Sequence, residues 1–286
     1  MRSEHDEDAG GDEDGGYDGD QRVQQHHVLG YADQGMAATR SKPVAVVTGA
    51  SSGIGAATAV ALAGRGYQVV AGARRVDRMR KVVGESGVAM ALDVTDRKSV
   101  EAFIAEVGRR FRHVDVLVNN AGGALGLTPV ADANDDDWTT MWKTNVLGLM
   151  YVTRACLPLL RKARHGHIVN LGSIAGFETY KGGAGYTAVK HAVRAISRTL
   201  RLELNGEPIR VTEVAPGLVE TEFSIVRFHG DKTAARNVYA GLKPLTAADI
   251  ADCIVFAVTR PPHVDIDEIV IRPVAQATSH QVARKT

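Results

Sequence analysis

Aromatic side chains are scarce in this chain, at 5% of its 286 residues, and cysteines number two. Two cysteines cannot build the disulfide framework of a small secreted scaffold. Cys156, in "TRACLPLL", and Cys253, in "IADCIVFAV", each sit in an apolar helical pattern. Both are expected to be buried free thiols, which fits a reducing, cytoplasmic location. No apolar run reaches the ~20 residues that a membrane span needs. The N-terminal charges are not followed by an apolar core, so no secretory signal is read there. A large excess of one charge is lacking too: the net charge is +1, and it gives no reason to invoke nucleic acid. Metal ligands at useful spacing are also missing, since His26 and His27 have no spaced partners.

What is present is enough apolar sequence, 44% of the chain, to bury a substantial core. The charge is unevenly spread. Residues 1–40 hold ten Asp and Glu against three Arg. Their stretch "SEHDEDAGGDEDGGYDGDQ" is rich in Gly and nearly free of large aliphatics. Such a segment cannot offset its ordering entropy by burial, so 1–40 is expected to be a disordered extension. Met36 lies just before the composition changes and is a candidate translation start. The remaining 41–286 read as one domain, with no internal repeat and no linker.

From Pro43 onward strands and helices alternate. "VAVVTG" is a continuous apolar run ending in Gly, the pattern of a strand covered on both faces. "GIGAATAVALAGRGY" reads as a helix stopped by Gly66. "QVVAGA", "VAMALDV", "VDVLVNNAG", "GHIVNLGS", "IRVTEVAPG" and "IDEIVIRPV" read as six further strands. "WTTMWKTNVLGLMYVTRACLPLLRKA" reads as one long helix with Pro158 near its end, and "LTAADIADCIVFAVT" as a helix capped by Thr246. The alternation implies an α/β fold, a Rossmann-type doubly wound parallel sheet of seven strands in the order 3-2-1-4-5-6-7.

The first strand-to-helix turn is "TGASSGIG", residues 48–55, containing Gly49, Ser51, Ser52, Gly53, Ile54 and Gly55. Glycines there let backbone approach a pyrophosphate, and the following helix offers unpaired N–H groups at a positive dipole end. In dinucleotide sites an acidic residue about 20 positions on binds a ribose 2′-hydroxyl, whereas Arg accommodates a 2′-phosphate. Here the second strand ends in "AGARRVDR", with Arg74 and Arg75 in that place. Two guanidinium groups pair with a phosphate that a carboxylate would repel, so NADP is predicted over NAD. Asp77 lies past the strand end and is expected to cap the next helix.

Ser173 follows the fifth strand. Tyr186 comes thirteen residues later, and Lys190 four beyond it in "YTAVK", on the same helix face. A neighbouring ammonium favours a phenolate, and an oxidised nicotinamide, also cationic, would add to the shift, so Tyr186 is expected to titrate below its ordinary value and to exchange a proton with an alcohol or carbonyl. Ser173 is placed to orient the same oxygen. Asn145, in "KTNVLG", is placed to hold a water next to Lys190.

Taken in order, "TGASSGIG", "NNAG" (119–122), Asn145, Ser173, "YTAVK" and "PG" (216–217) resemble the short-chain dehydrogenase/reductase family over roughly 43–275. The resemblance implies Asn145, Ser173, Tyr186 and Lys190 as the catalytic group, with Tyr186 and Lys190 also touching the cofactor. It implies Asp93 and Val94 near the adenine, and Asn119 and Ala121 supporting the central strand and nucleotide. It places Pro216, Gly217, Val219 and Thr221 by the nicotinamide.

"PGLVETEFSIVRFHGD" and the ending "VDIDEIVIRPVAQ" are most similar to the NADP-dependent 3-hydroxy acid (serine, allo-threonine) dehydrogenases of that family. The implied substrate is a small 3-hydroxy acid or β-hydroxy amino acid. A small carboxylate needs a cation, and Arg227 lies in the loop where a lid would sit. A broad NADPH-dependent carbonyl reductase is the alternative, since it shares the chemistry and differs in the pocket. A regulator without turnover would have a broken catalytic group, whereas all four members stand here. Tyr151 and Arg154 on the long helix are read as packing or interface residues. The apolar surface of that helix and of the one beginning at "YTAVK" suggests a homotetramer, with a dimer second.

Overall fold

The computed structural model describes residues 41–285. The acidic segment 1–40, with His26, His27 and Met36, lies outside the described residues. Strands β1 (Val44–Thr48), β2 (Gln68–Ala73), β3 (Val88–Ala91), β4 (Val116–Asn119), β5 (Gly166–Leu171), β6 (Ile209–Pro216) and β7 (Glu268–Ile271) form one sheet. Its order is β3-β2-β1-β4-β5-β6-β7, and every neighbouring pair is parallel. This is the predicted order, with the strand sequence turning back beside β1.

Helices cover both faces, which is why the strands are apolar runs and not alternating ones. Within β1, Ala45 and Val47 join the core under α1 (Gly53–Gly64), α2 (Val76–Val83) and α9 (Ala247–Val258), where Leu62, Met79 and Ile250 pack. Val44 and Val46 point the other way, to Phe103 of α3 (Arg97–Phe111) and to Val152 and Cys156 of α5 (Gly148–Leu160). Each fully buried aliphatic side chain contributes roughly 1.5–3 kcal/mol. Cys156 is buried and Cys253 half-buried, and both are free thiols. Burial pushes the Cys156 thiol up to about 12, so it is inert at neutral pH.

Local signals fix the helix ends. Gly66 takes φ +84° just past α1, where a side chain would be strained. Thr246 and Asp249 close a reciprocal capping box on α9. Asp77 does not cap α2: Arg75 occupies the capping position, and Asp77 sits in the first turn, paired with Arg80 at 3.1 Å.

The predicted long helix is continuous in direction but not in winding. It comprises α4 (Asp135–Trp142), a π-helical segment Lys143–Leu147 and α5. Asn145 lies in the π segment. Its Nδ2 donates to the carbonyl of Met141, the acceptor an α-helix would give to the backbone N–H of residue 145. Three helices complete the fold: α6 (Ala184–Glu203) and the short α7 (Phe223–Arg227) and α8 (Lys232–Asn237) in the segment after β6. Among the described residues no helix is long and apolar enough to cross a membrane.

Candidate active site

The strand-end residues predicted for the site fall at the carboxyl edge of the sheet, where open α/β sheets hold their ligands. The glycine turn leaves β1, Arg74 and Arg75 end β2, Asp93 and Val94 follow β3, and Asn119 to Ala121 end β4. Ser173 follows β5, and Pro216 to Thr221 follow β6.

The turn is held from the side of β4. Thr48 Oγ1 accepts from the backbone N–H groups of Asn120 and Ala121, both at 3.0 Å. Asn120 Nδ2 donates to the carbonyls of Thr48, at 2.8 Å, and Gly49, at 3.3 Å. This packing explains two of the glycines. A Cβ at Gly49 would lie 2.9 Å from Ala121 Cα, and one at Gly55 would overlap Asn120 Nδ2. Gly53 adopts φ +55°, a conformation that glycine permits, and faces Thr221. Ile54 packs against the core beneath. Ser52 precedes α1 in an extended conformation and makes no side-chain bond to the helix. The first N–H groups of α1 therefore face the turn without a side-chain cap.

Arg75 crosses to this turn. Its Nη2 donates to Ser52 Oγ at 2.9 Å and to Ser51 Oγ at 3.2 Å, and its Nη1 pairs with Glu222 at 3.1 Å. Arg78 pairs with the other oxygen of Glu222 at 2.8 Å. The guanidinium groups hold the Glu222 carboxyl below its usual range, chiefly through the Arg78 hydrogen bond. Arg75, two hydroxyls and the open start of α1 thus meet at one place, with Arg78 joined to Arg75 through Glu222, a donor set suited to a phosphate monoester. Arg74 is exposed and adds its field to Asp93. The Asp93 carboxylate accepts from the Thr95 hydroxyl at 2.7 Å, and that bond chiefly holds its pKa below the ordinary value. Val94 is buried against Gly148, where a Cβ would meet it at 2.8 Å.

Asn119 is buried and braces three elements. Its Nδ2 donates to Thr153 Oγ1 at 2.8 Å and to Asn170 Oδ1 at 2.9 Å, and Asn170 donates on to Ser197 of α6 at 2.9 Å. On the far side, Ser173 donates to the Pro216 carbonyl at 3.4 Å. Gly217 packs against Gln276, whose Oε1 accepts from Leu218 N–H at 2.8 Å. Val219 bridges to Leu245.

Tyr186 and Lys190 share a face of α6 and are 9% and 6% exposed. Lys190 Nζ donates to the Leu171 carbonyl at 2.8 Å and lies 5.8 Å from the centre of the Tyr186 ring. Here the structure corrects an expectation. The Tyr186 phenol is pushed up from its ordinary value, chiefly by burial and then by Tyr180. A hydrogen bond with Ser173 and the charge of Arg227 oppose the rise, and Lys190 is not among the causes. Burial lowers Lys190 to about 8, with Glu213 opposing. The Asn145 side chain is tied to neighbouring backbone. Its Nδ2 is shared between the carbonyls of Gly123 and Met141, both at 2.9 Å, and its Oδ1 accepts from Gly123 N–H at 3.3 Å.

The segment after β6 closes over the phenol. Phe223 meets the Tyr186 ring edge-on at 5.6 Å. The Arg227 guanidinium lies 5.7 Å from the Tyr186 ring centre and 5.4 Å from that of Tyr180. It donates to the Tyr180 hydroxyl at 3.0 Å and to the Gly126 carbonyl at 3.2 Å. His229 reaches Asp137 of α4 at 3.1 Å. Leu125, Trp138, Met141 and Gly185 line the space beside Tyr186. Among the described residues no cluster of three or more His, Cys, Asp or Glu side chains could hold a metal ion.

The short chain dehydrogenase family model matches residues 43–231. The chain belongs to this family. Its relatives include an uncharacterized oxidoreductase of Mycobacterium tuberculosis, 58% identical over 85% of this chain and 95% of the relative. An NADP-dependent 3-hydroxy acid dehydrogenase of Schizosaccharomyces pombe is 45% identical, over 84% of this chain and 96% of its own. The closed form of a serine dehydrogenase complexed with NADP+ superposes with a TM-score of 0.80 at 39% identity, covering 85% of this chain and all of that one. The protein is thus an oxidoreductase of the short-chain family, among relatives that are NADP-dependent and act on hydroxyl groups.

Sequence reasoning missed several neighbours of this site. Arg78 stood inside the quoted "ARRVDR", one helical turn beyond Arg75. Asn120 stood inside "NNAG". Glu222, Phe223 and Tyr180 had no signal of their own, because only the folded loop brings them to the turn and the phenol.

Proposed function

We propose that the protein is an NADP-dependent dehydrogenase of small 3-hydroxy acids or β-hydroxy amino acids, running in reverse on the 3-oxo product or on short aldehydes. The cofactor is NADP, which when bound supplies the hydride acceptor at its nicotinamide ring. Gly49, Gly53, Gly55 and the start of α1 would hold the pyrophosphate, and Arg75, Arg78, Ser51 and Ser52 the 2′-phosphate. Arg74, Asp93 and Val94 would flank the adenine. Pro216, Gly217, Val219 and Thr221 would flank the nicotinamide.

Tyr186 moves the proton. In reduction the protonated phenol, the form that burial favours, gives its proton to the carbonyl oxygen. In oxidation it takes the hydroxyl proton as hydride leaves the neighbouring carbon. Ser173 orients that oxygen, and Lys190 supplies positive charge beneath the phenol. Asn145 holds the 122–123 backbone and the π turn in place, a positioning role.

The observation that carries the substrate class is Arg227. Its guanidinium stands over both tyrosine rings, half-buried, with no carboxylate partner among the described residues. A cation there can bind the carboxylate of a substrate whose hydroxyl lies at Tyr186. Steady-state kinetics of Arg227→Ala on L-serine, L-allo-threonine and 3-hydroxypropionate test this, against a short alcohol without a carboxylate. KM should rise at least about tenfold for the acids only, the loss of a charge-assisted hydrogen bond. An unchanged KM for the acids would leave the broad carbonyl reductase as the better reading.

The protein is read as a cytoplasmic homotetramer, or failing that a dimer. Exposed Trp138, Trp142 and Met150 on α4 and α5 support self-association, which light scattering measures directly.

A further inference from the structure

Beneath the proposed catalytic pair lies a carboxyl group that the reaction described above does not use. Glu213, in the middle of β6, is fully buried, and neither of its oxygens has a hydrogen-bond partner. Its Cα registers with Asn170 on one side and with Glu268 on the other. Asn170 bonds to Ser197 of α6, so this row of the sheet faces α6. One oxygen lies so close to Gly172 that a Cβ there would overlap it. Gly172 is the residue between Leu171, whose carbonyl holds Lys190, and Ser173.

The charged groups around Glu213 come from two elements. From α6 come Lys190, Arg194 and Arg198, and from β7 comes Glu268. Arg194 and Arg198 are both engaged by Glu268, at 3.3 and 2.8 Å. Lys190 has no carboxylate partner among the described residues, only a neutral carbonyl. A buried ammonium held by one carbonyl is costly to keep charged, and so is a buried carboxylate with no partner. Each is the nearest available remedy for the other.

We propose that Glu213 is the buried counter-charge that keeps Lys190 protonated, a positioning residue that acts on the phenol only through that lysine. The proposal rests on the reading of Tyr186 and Lys190 as the proton-transfer pair. Two directions agree with it. Burial and Glu268 raise the Glu213 carboxyl to about 7, with Lys190 the first of the groups pulling it down. Glu213 is in turn the group that opposes the fall of Lys190. Each group thus favours the charged form of the other.

The test uses Glu213→Gln and Glu213→Met, side chains of similar length without charge, with Lys190→Met as reference. In NADPH-linked reduction of a short aldehyde, the alkaline limb of kcat/KM should move down by about one pH unit in both variants, the shift expected when an opposite charge is removed. Glu213→Asp should restore most of the parent profile. Thermal melting gives a second readout, independent of turnover. A carboxyl whose folded pKa is raised withdraws stability as pH climbs through that value. The Tm difference between Glu213→Met and the parent should therefore move in the variant's favour as pH rises from 5 to 8. An unmoved alkaline limb would overturn the proposal whatever the melting curves show, while leaving Lys190→Met inactive. Activity persisting in Lys190→Met would instead overturn the reading on which it rests.

Discussion

Arg75 donates to Ser52 Oγ at 2.9 Å, joining the end of β2 to the residue that opens α1. The contact places a guanidinium beside the start of a helix whose first N–H groups have no side-chain cap. Removing it should weaken NADPH binding selectively. Arg75→Ala is expected to lose about 10- to 100-fold in NADPH affinity, the worth of one or two charge-assisted bonds, with NADH affinity nearly unchanged. Fluorescence titration with both nucleotides measures this. Equal losses for the two would show that Arg75 shapes the turn and does not read the phosphate.

Tyr186→Phe removes one hydroxyl from a ring wedged against Phe223. Turnover should fall by about 10²- to 10⁴-fold, the usual contribution of a positioned proton donor. The fold should persist, because the ring keeps its packing. Steady-state rates beside a circular-dichroism melt check both halves, and a variant running at the parent rate would remove Tyr186 from the mechanism.

The two reaction directions should respond oppositely to pH. Burial raises the Tyr186 phenol, so its neutral form predominates at pH 7. Reduction consumes that form and should be fastest at neutral pH, failing as Lys190 loses its proton near 8. Oxidation requires the phenol to give up its proton first and should climb toward pH 8 before it too loses the charge of Lys190. Rate profiles from pH 6 to 10 in both directions decide the matter, and parallel profiles would contradict this assignment of the acid.

Gly55→Ala would drive a methyl group into Asn120 Nδ2, which holds the carbonyls of Thr48 and Gly49. The expected cost is about 1–3 kcal/mol of stability, typical of overpacking. Nucleotide affinity should fall with it, because the same amide sets the shape of the turn. Asn120→Ala should not rescue it, because the same methyl would lie 2.6 Å from the Gly49 carbonyl oxygen, so the double variant should bind nucleotide no better than Gly55→Ala alone. Denaturant melts and nucleotide titrations of the three variants provide the comparison.

Strand order and the positions of the glycine turn, Ser173, Tyr186 and Lys190 could be read along the chain because each depends on local signals. Apolar runs such as "VAVVT" mark strands buried on both faces. A strand–glycine–helix junction marks a phosphate cradle whatever surrounds it. The electrostatics could not be read in this way. The spacing of Tyr186 and Lys190 suggested an acidic phenol, yet burial dominates that group, and burial depends on Phe223, Tyr180 and Met141 arriving from elsewhere. The π turn at Asn145 was hidden for a related reason. It is stabilised by a side-chain bond to Met141 and by the loop at Gly123, neither of which alters the helical pattern of the sequence. Asp77 was read as a cap from its residue type, but the helix begins earlier and leaves Asp77 to pair with Arg80.

Glu222 belongs to the segment that covers the phenol, yet its two oxygens hold Arg75, which bonds to the turn serines, and Arg78 one helical turn further on. In the function proposed above, coenzyme choice and access to the reacting carbon therefore run through the same pair of side chains. A designer who trades either arginine for an acid to recruit NAD would also unfasten the cover of the substrate chamber, and would need to supply Glu222 with a new cation before the exchange could succeed.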